Sequence, residues 1–144
     1  MIRKAIKTDA MMLAPLVKKL WPEHSVEELV RIVVEYMDSE NSCIFVCEND
    51  GHLNGTALCC LRHDYVEGCV TSPVGYLEGV YVDEPCRRLG IAGALVKECE
   101  KWAKEKGCRE FASDCELQNT ASRQFHLGVG FSEENRIICF RKEI

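Results

Sequence analysis

The stretch Gly75-Tyr76-Leu77-Glu78-Gly79-Val80-Tyr81-Val82-Asp83-Glu84-Pro85-Cys86-Arg87-Arg88-Leu89-Gly90-Ile91-Ala92-Gly93 changes its structural character halfway along. Gly75–Asp83 reads as a central strand, which Pro85 cannot continue. From Ile91 onward the apolar residues Ala94, Leu95, Val96, Cys99 and Trp102 give an amphipathic helix that ends near Gly107. Between them lies Arg87-x-x-Gly90-x-Ala92. Its glycine lets a ligand approach the backbone, and the helix that begins here leaves about four amide N–H groups without intrahelical partners. These amides, the positive end of the helix dipole and Arg87 or Arg88 make a cradle suited to a pyrophosphate. The loop lacks the Gly-Lys-Ser/Thr of a nucleotide P-loop and the further glycines of a dinucleotide fingerprint, which argues against ATP chemistry and hydride transfer.

Working outward, Ile2–Ile6 alternates like a short edge strand, and Thr8 or Asp9 is placed to cap a helix over Ala10–Leu20. After Trp21-Pro22, the capping box Ser25-Val26-Glu27-Glu28 starts a second helix that carries Leu29, Ile32, Val33 and Tyr36 to Met37. Ser42–Glu48 and Leu53–His63 flank Asn49-Asp50-Gly51 as a hairpin, and Asp64–Val74 reads as a loop. Beyond the long helix come a short strand over Glu110–Asp114, a helix over Asn119–Gly128 and a final strand over Ile137–Phe140. The order β-α-α-β-β-β-α-β-α-β predicts an α/β fold with one mixed sheet and helices on both faces.

The chain has 144 residues, about one domain's worth, with 47% hydrophobic and 28% charged residues, an ordinary globular composition. Residues 1–144 are therefore expected to form one domain. The most apolar N-terminal run, Ala10–Val17, contains Pro15 and shows no signal-peptide pattern, so a cytoplasmic protein without a membrane segment is expected. The net charge of −5 disfavours nucleic acid and favours a cationic small molecule. Ten cysteines form no C-x-x-C pair and several lie in apolar runs such as Ala57-Leu58-Cys59-Cys60-Leu61, so they are expected to be reduced, mostly buried small hydrophobes, with no metal site.

The strand Leu77–Val82, the Arg87-x-x-Gly90-x-Ala92 loop and its helix, the Asn119 helix and Gly130-Phe131 together resemble the GNAT superfamily of acetyl-CoA-dependent N-acetyltransferases. Leu20-Trp21-Pro22, Arg62-His63-Asp64-Tyr65-Val66, Ser72-Pro73-Val74, Leu77-Glu78-Gly79 and Ala112-Ser113-Asp114 narrow the likeness to the aminoglycoside 6′-N-acetyltransferases. The resemblance implies a sheet splayed beside the central strand, with the pantetheine arm of acetyl-CoA paired along Val80, Tyr81 and Val82. It also implies that amides of Arg88, Leu89, Gly90, Ile91, Ala92 and Gly93 hold the pyrophosphate, that Asn119 touches the pantetheine or the substrate, and that the Val80 amide stabilises the developing oxyanion. A homodimer is implied as well.

Acetyl transfer to an aliphatic amine needs a group that attracts the ammonium and a group that takes its proton. Glu78 on the central strand and Asp114 at the end of its expected neighbour suit both tasks, although spacing alone is equally compatible with a solvated Glu78 and an Asp114 that caps the next turn. Trp21, His24 and Tyr65 are suited to packing on aminosugar rings and bonding their hydroxyls. His126 stands where many members of the superfamily carry a tyrosine that protonates the departing thiolate. It either serves as that acid or packs near the sulfur. Asn135 stands where the aminoglycoside enzymes tend to be acidic, with a bearing on substrate binding. Cys115, beside Asp114, is the rival nucleophile, but no His-Asp arrangement serves it, so direct transfer is expected. Two alternatives fit the same residues: an acetyltransferase of polyamines or another small cation, and a noncatalytic acetyl-CoA-binding sensor.

Overall fold

The computed structural model describes residues 1–144. Its elements are β1 (Ile2–Lys4), α1 (Ala10–Leu20), α2 (Val26–Asp38), β2 (Ser42–Asn49), β3 (His52–Arg62), β4 (Val74–Val82), α3 (Ile91–Glu105), β5 (Phe111–Ser113) and α4 (Thr120–Gly128). The strands form one five-stranded sheet in the order β1-β2-β3-β4-β5, antiparallel except for the β4–β5 pair, which is parallel.

Strand alternation divides the core in two. Ile44, Val46 and Leu58 face α1 and α2, where Leu13, Val17, Leu29 and Val33 are fully buried. Cys43, Phe45, Ala57, Cys59 and Leu77 point the other way, onto Leu95, Val96, Cys99 and Trp102 of α3. Each fully buried aliphatic side chain stabilises the fold by about 1.5–3 kcal/mol relative to exposure. Such layers hold the sheet rigid beneath the loops that carry chemistry.

Local signals behave as their physics requires. Glu28 N–H donates to Ser25 Oγ at 3.1 Å and the Ser25 N–H to the Glu28 carboxylate at 3.4 Å, the expected capping box. The β2–β3 hairpin turns through Asp50 and Gly51, both at positive φ (50° and 76°). Neither Thr8 nor Asp9 caps α1. Asp9 instead closes back on Ile6 N–H at 2.8 Å and takes both terminal guanidinium nitrogens of Arg3, at 2.7 and 2.9 Å.

The expected strand over Ile137–Phe140 does not form. Residues after Phe131 adopt no regular structure, and Ile137, Ile138 and Phe140 are 62%, 81% and 91% exposed. An extended segment needs a neighbouring strand for its ladder hydrogen bonds, and within one chain this segment has none. The cysteines are all free, but fewer are buried than expected: Cys43, Cys47, Cys59, Cys99 and Cys108 are buried, Cys60, Cys69 and Cys86 half-buried, and Cys115 and Cys139 exposed.

Candidate active site

A bulge in β4 shapes the acidic side of the site. Leu58 pairs with Gly79 and Cys59 with Leu77, leaving Glu78 as an extra residue that is turned toward β3. Its Oε1 accepts from Arg62 Nη2 and from the Cys60 thiol, both at 2.9 Å, while Oε2 has no protein partner. The Arg62 guanidinium lies 3.4 Å over the Tyr76 ring. The Tyr76 hydroxyl donates in turn to Asp114 Oδ2. Because Ala112 pairs with Tyr76, alternation carries Asp114 onto that same side of the sheet. Glu78, Arg62, Tyr76 and Asp114 are thus one connected face. Burial, then the bond to Asp114, raises the Tyr76 hydroxyl above its usual range, which keeps it a donor. Burial, then the hydrogen bond to Glu78, pushes the Cys60 thiol up to about 12.

The opposite side of β5 carries a different group. Ser113 Oγ lies 3.1 Å from the Leu77 carbonyl and 2.8 Å from His126 Nε2, and His126 Nδ1 is 2.7 Å from the Ser122 carbonyl. Phe125 and Phe131 flank the imidazole at ring distances of 5.7 and 5.2 Å. The β4–β5 pairing ends at Leu77↔Ser113, so from Glu78 to Val82 the β4 edge facing β5 has no strand beside it.

That open edge leads to the loop. The amides of Arg88, Leu89, Gly90, Ile91, Ala92 and Gly93 make no backbone hydrogen bond, and Arg88 and Gly90 sit at positive φ (63° and 78°). The result is a row of free donors at the start of α3, the arrangement a pyrophosphate requires. Beside it, Gly90, Gly93, Lys97, Gly128, Val129 and Gly130 help line a cleft of about 520 Å³. Arg87 lies at the same edge, donating from Nε to the Val82 carbonyl at 2.9 Å. Because Asp83 N–H bonds the Asn54 carbonyl of β3, alternation turns the Tyr81 peptide groups toward β3 and those of Val80 and Val82 toward the open edge.

The remaining sequence-predicted residues scatter. Asn119 caps α4, accepting from Ser122 N–H at 3.1 Å. Trp21 is half-buried and packs at 6.5 Å on Tyr36, whose hydroxyl is raised by burial and then by the Glu78 charge. His24 pairs at 3.1 Å with Glu28 on α2. Tyr65 is 80% exposed and meets Asn135 at a shared partner: its hydroxyl is 3.1 Å from Glu67, to which Asn135 donates at 2.9 Å. Sequence reading missed Arg62, Cys60 and Tyr76 as members of the acidic face, and Ser113 as the partner of His126. The i, i+2 spacing of Cys60 and Arg62 on a strand was the one available signal. No cluster of three or more His, Cys, Asp or Glu side chains is placed to hold a metal ion.

Residues 11–131 match the acetyltransferase (GNAT) family. An aminoglycoside N(6′)-acetyltransferase type 1 of Salmonella enteritidis is 38% identical over 141 residues, covering 98% of this chain and 97% of that protein. The crystallised aminoglycoside N-acetyltransferase AAC(6′)-Iy, in complex with CoA, superposes with a TM-score of 0.97 at 38% identity, covering all of this chain and 95% of that one. The same enzyme with the bisubstrate analogue CoA-S-monomethyl-acetylneamine gives 0.95, again at 38% identity, over all of this chain and 98% of that one. With a family match across most of its length and relatives aligned over nearly all of it, the chain belongs to the acetyltransferase (GNAT) family.

Proposed function

We propose that this chain transfers acetyl from acetyl-CoA to the 6′-amine of aminoglycosides by direct attack in a ternary complex, and so confers resistance to them. The observation that carries this reading is the split of β4 from β5 at Leu77↔Ser113, with an acidic face on one side and a Ser–His pair on the other. Acetyl-CoA supplies an activated acyl carbonyl and a thiol leaving group. The amides of Arg88 to Gly93 bind its pyrophosphate, Val80, Tyr81 and Val82 align its pantetheine arm, and the Val80 amide steadies the carbonyl oxygen. Glu78, oriented through Oε1, presents Oε2 to the substrate ammonium. Asp114 takes the proton from the attacking amine. Trp21, His24, Tyr65 and Asn135 contact the sugar rings, and Asn119 holds the start of α4 beside the cofactor.

In this reading residues 1–144 work as one unit in the cytoplasm. The charge of −5 supports a cationic small molecule and not nucleic acid as partner. None of the helices is long and apolar enough to cross a membrane. The assembly is a homodimer: the exposed apolar residues Ile137, Ile138 and Phe140 need a cover, and β5 offers a sheet edge to a second copy. Light scattering should report a dimer that becomes monomeric when residues 136–144 are removed. A full-length monomer would refute the assembly.

The test of function is CoA-thiol release with aminoglycosides bearing a free 6′-amine, beside polyamines. Turnover confined to the aminoglycosides is expected. Preferential turnover of polyamines would reassign the substrate, and acetyl-CoA binding without turnover of any amine would make the chain a sensor.

A further inference from the structure

The hydrogen bonds around His126 define which of its nitrogens carries a proton. A backbone carbonyl only accepts, so the 2.7 Å contact to the Ser122 carbonyl requires a proton on Nδ1. In the neutral ring Nε2 therefore offers a lone pair, and the partner at 2.8 Å is the Ser113 hydroxyl. That hydroxyl has one hydrogen and two acceptors within reach, Nε2 and the Leu77 carbonyl at 3.1 Å. When His126 is neutral, the hydroxyl donates to Nε2. When His126 is protonated, Nε2–H donates to Ser113 Oγ and the hydroxyl hydrogen is released toward Leu77 or toward whatever lies beside it. Both states are fully hydrogen-bonded, and they differ only by one rotation of the Ser113 hydroxyl.

The place of this pair gives the rotation a use. Ser113 is the last residue of β5 paired to β4, at the inner end of the open edge, and it points to the side of the sheet opposite Asp114. We propose that Ser113 and His126 act as a two-step proton donor to the sulfur that leaves in acetyl transfer. This inference rests on the acetyl-transfer reading above and adds Ser113 to its chemistry. As the N–C bond forms and the C–S bond breaks, the bonding pair passes to sulfur. Sulfur takes the Ser113 Oγ hydrogen while Oγ takes the hydrogen from His126 Nε2. His126 is left neutral and regains its proton from solvent, and the proton lost by the amine leaves through Asp114 on the other side. Each site thus handles one proton, and neither carboxylate has to serve both reactants.

Four variants and one spectrum test this. Ser113→Ala should lower kcat about 10- to 100-fold, with KM for acetyl-CoA and for the aminoglycoside changed less than about twofold. Ser113→Thr, which keeps a hydroxyl, should recover most of the loss. Ser113→Ala combined with His126→Gln should be no slower than His126→Gln alone, because the two act in series. The ring nitrogens of His126, read by 15N NMR in the neutral form, should show a proton on Nδ1 and a hydrogen-bonded lone pair on Nε2 whose shift moves in Ser113→Ala. Parental kcat in Ser113→Ala, or losses that multiply in the double variant, would overturn the pair. So would a neutral His126 protonated on Nε2. If no aminoglycoside is acetylated, the substrate reading falls, and the pair is judged by the same spectra and by the same variants on whichever amine is turned over.

Discussion

Arg62 stacks on Tyr76 while its Nη2 holds Glu78, and since Tyr76 in turn holds Asp114, the two carboxylates are joined through one stacked pair. Guanidinium is planar and can stack and donate at once, which an ammonium cannot. Arg62→Lys keeps the charge and loses that geometry. Its expected effect is a fall of about tenfold in kcat/KM for the aminoglycoside with acetyl-CoA affinity unchanged. Steady-state kinetics with isothermal titration of acetyl-CoA measures both, and parental kcat/KM would show that Arg62 contributes charge alone.

The different surroundings of the carboxylates separate their roles. Glu78 Oε1 is committed to Arg62 and Cys60, so Glu78 is fixed as a cation-binding group, whereas exposed Asp114 has Tyr76 as its one side-chain partner. Glu78→Gln should mainly raise KM for the aminoglycoside, by about tenfold. Asp114→Asn should lower kcat by about 10²–10⁴ and alter the pH dependence of the rate. A reversed pattern exchanges the roles, and two parental variants would remove both residues from the mechanism.

How much of this was legible in the sequence depends on whether a feature is local. The capping box at Ser25, the Asp50-Gly51 turn and the free amides ahead of α3 follow from chemistry within a few residues, and they lie where the sequence puts them. Glu78 and Asp114 were identifiable as candidates by type and position. Their partners were not, because Arg62 and Cys60 reach Glu78 only through the bulge, and register is a property of two strands. Ser113 was hidden for a related reason: α4 must fold back over β5 before His126 can find it. The segment Ile137–Phe140 failed in the opposite sense. It has the composition of a strand, but a strand exists only with a neighbour, and the chain by itself provides none.

Gly90 bears on the cradle. Nothing lies within 4 Å of a Cβ built there, yet its φ is +78°, so alanine is opposed by backbone conformation and not by contact. Gly90→Ala should cost about 1 kcal/mol of stability and weaken acetyl-CoA binding several-fold as the amides of Ile91 to Gly93 reorient. Gly51, at φ +76° and equally uncrowded, is the control: Gly51→Ala should lose similar stability and keep parental acetyl-CoA affinity. Equal binding losses in both variants would deny the Gly90 loop its role.

Cysteine reactivity tests direct transfer. Burial, then Glu78, holds the Cys60 thiol at about 12, and burial holds Cys43 at about 12, so both are protonated and unreactive at neutral pH. Cys115 is exposed. Iodoacetamide at pH 7.5 should therefore modify Cys115 long before Cys43 or Cys60, and Cys115→Ala should keep kcat within about twofold. Loss of turnover on the scale of a missing nucleophile would instead require an acyl-cysteine route.

The Arg3–Asp9 pair governs stability in acid. Asp9 is 3% exposed, takes Arg3 at 2.7 and 2.9 Å and accepts Ile6 N–H at 2.8 Å, and these bonds, led by Arg3, hold its carboxyl below the usual carboxylate range. With the folded value depressed, the stabilisation is complete above the unfolded value of about 3.9 and is lost as pH falls through the lower folded value. Asp9→Asn removes the charge at every pH and leaves Arg3 to Glu48, its other carboxylate at 2.7 Å. The variant should lose about 2 kcal/mol at pH 7, roughly 5 °C in Tm. The gap from the parent should stay constant between pH 7 and 5 and narrow only below about pH 4. Urea titrations of both proteins from pH 7 to pH 3 measure the gap directly. A gap already closing near pH 6 would mean that Asp9 is not held ionised by Arg3.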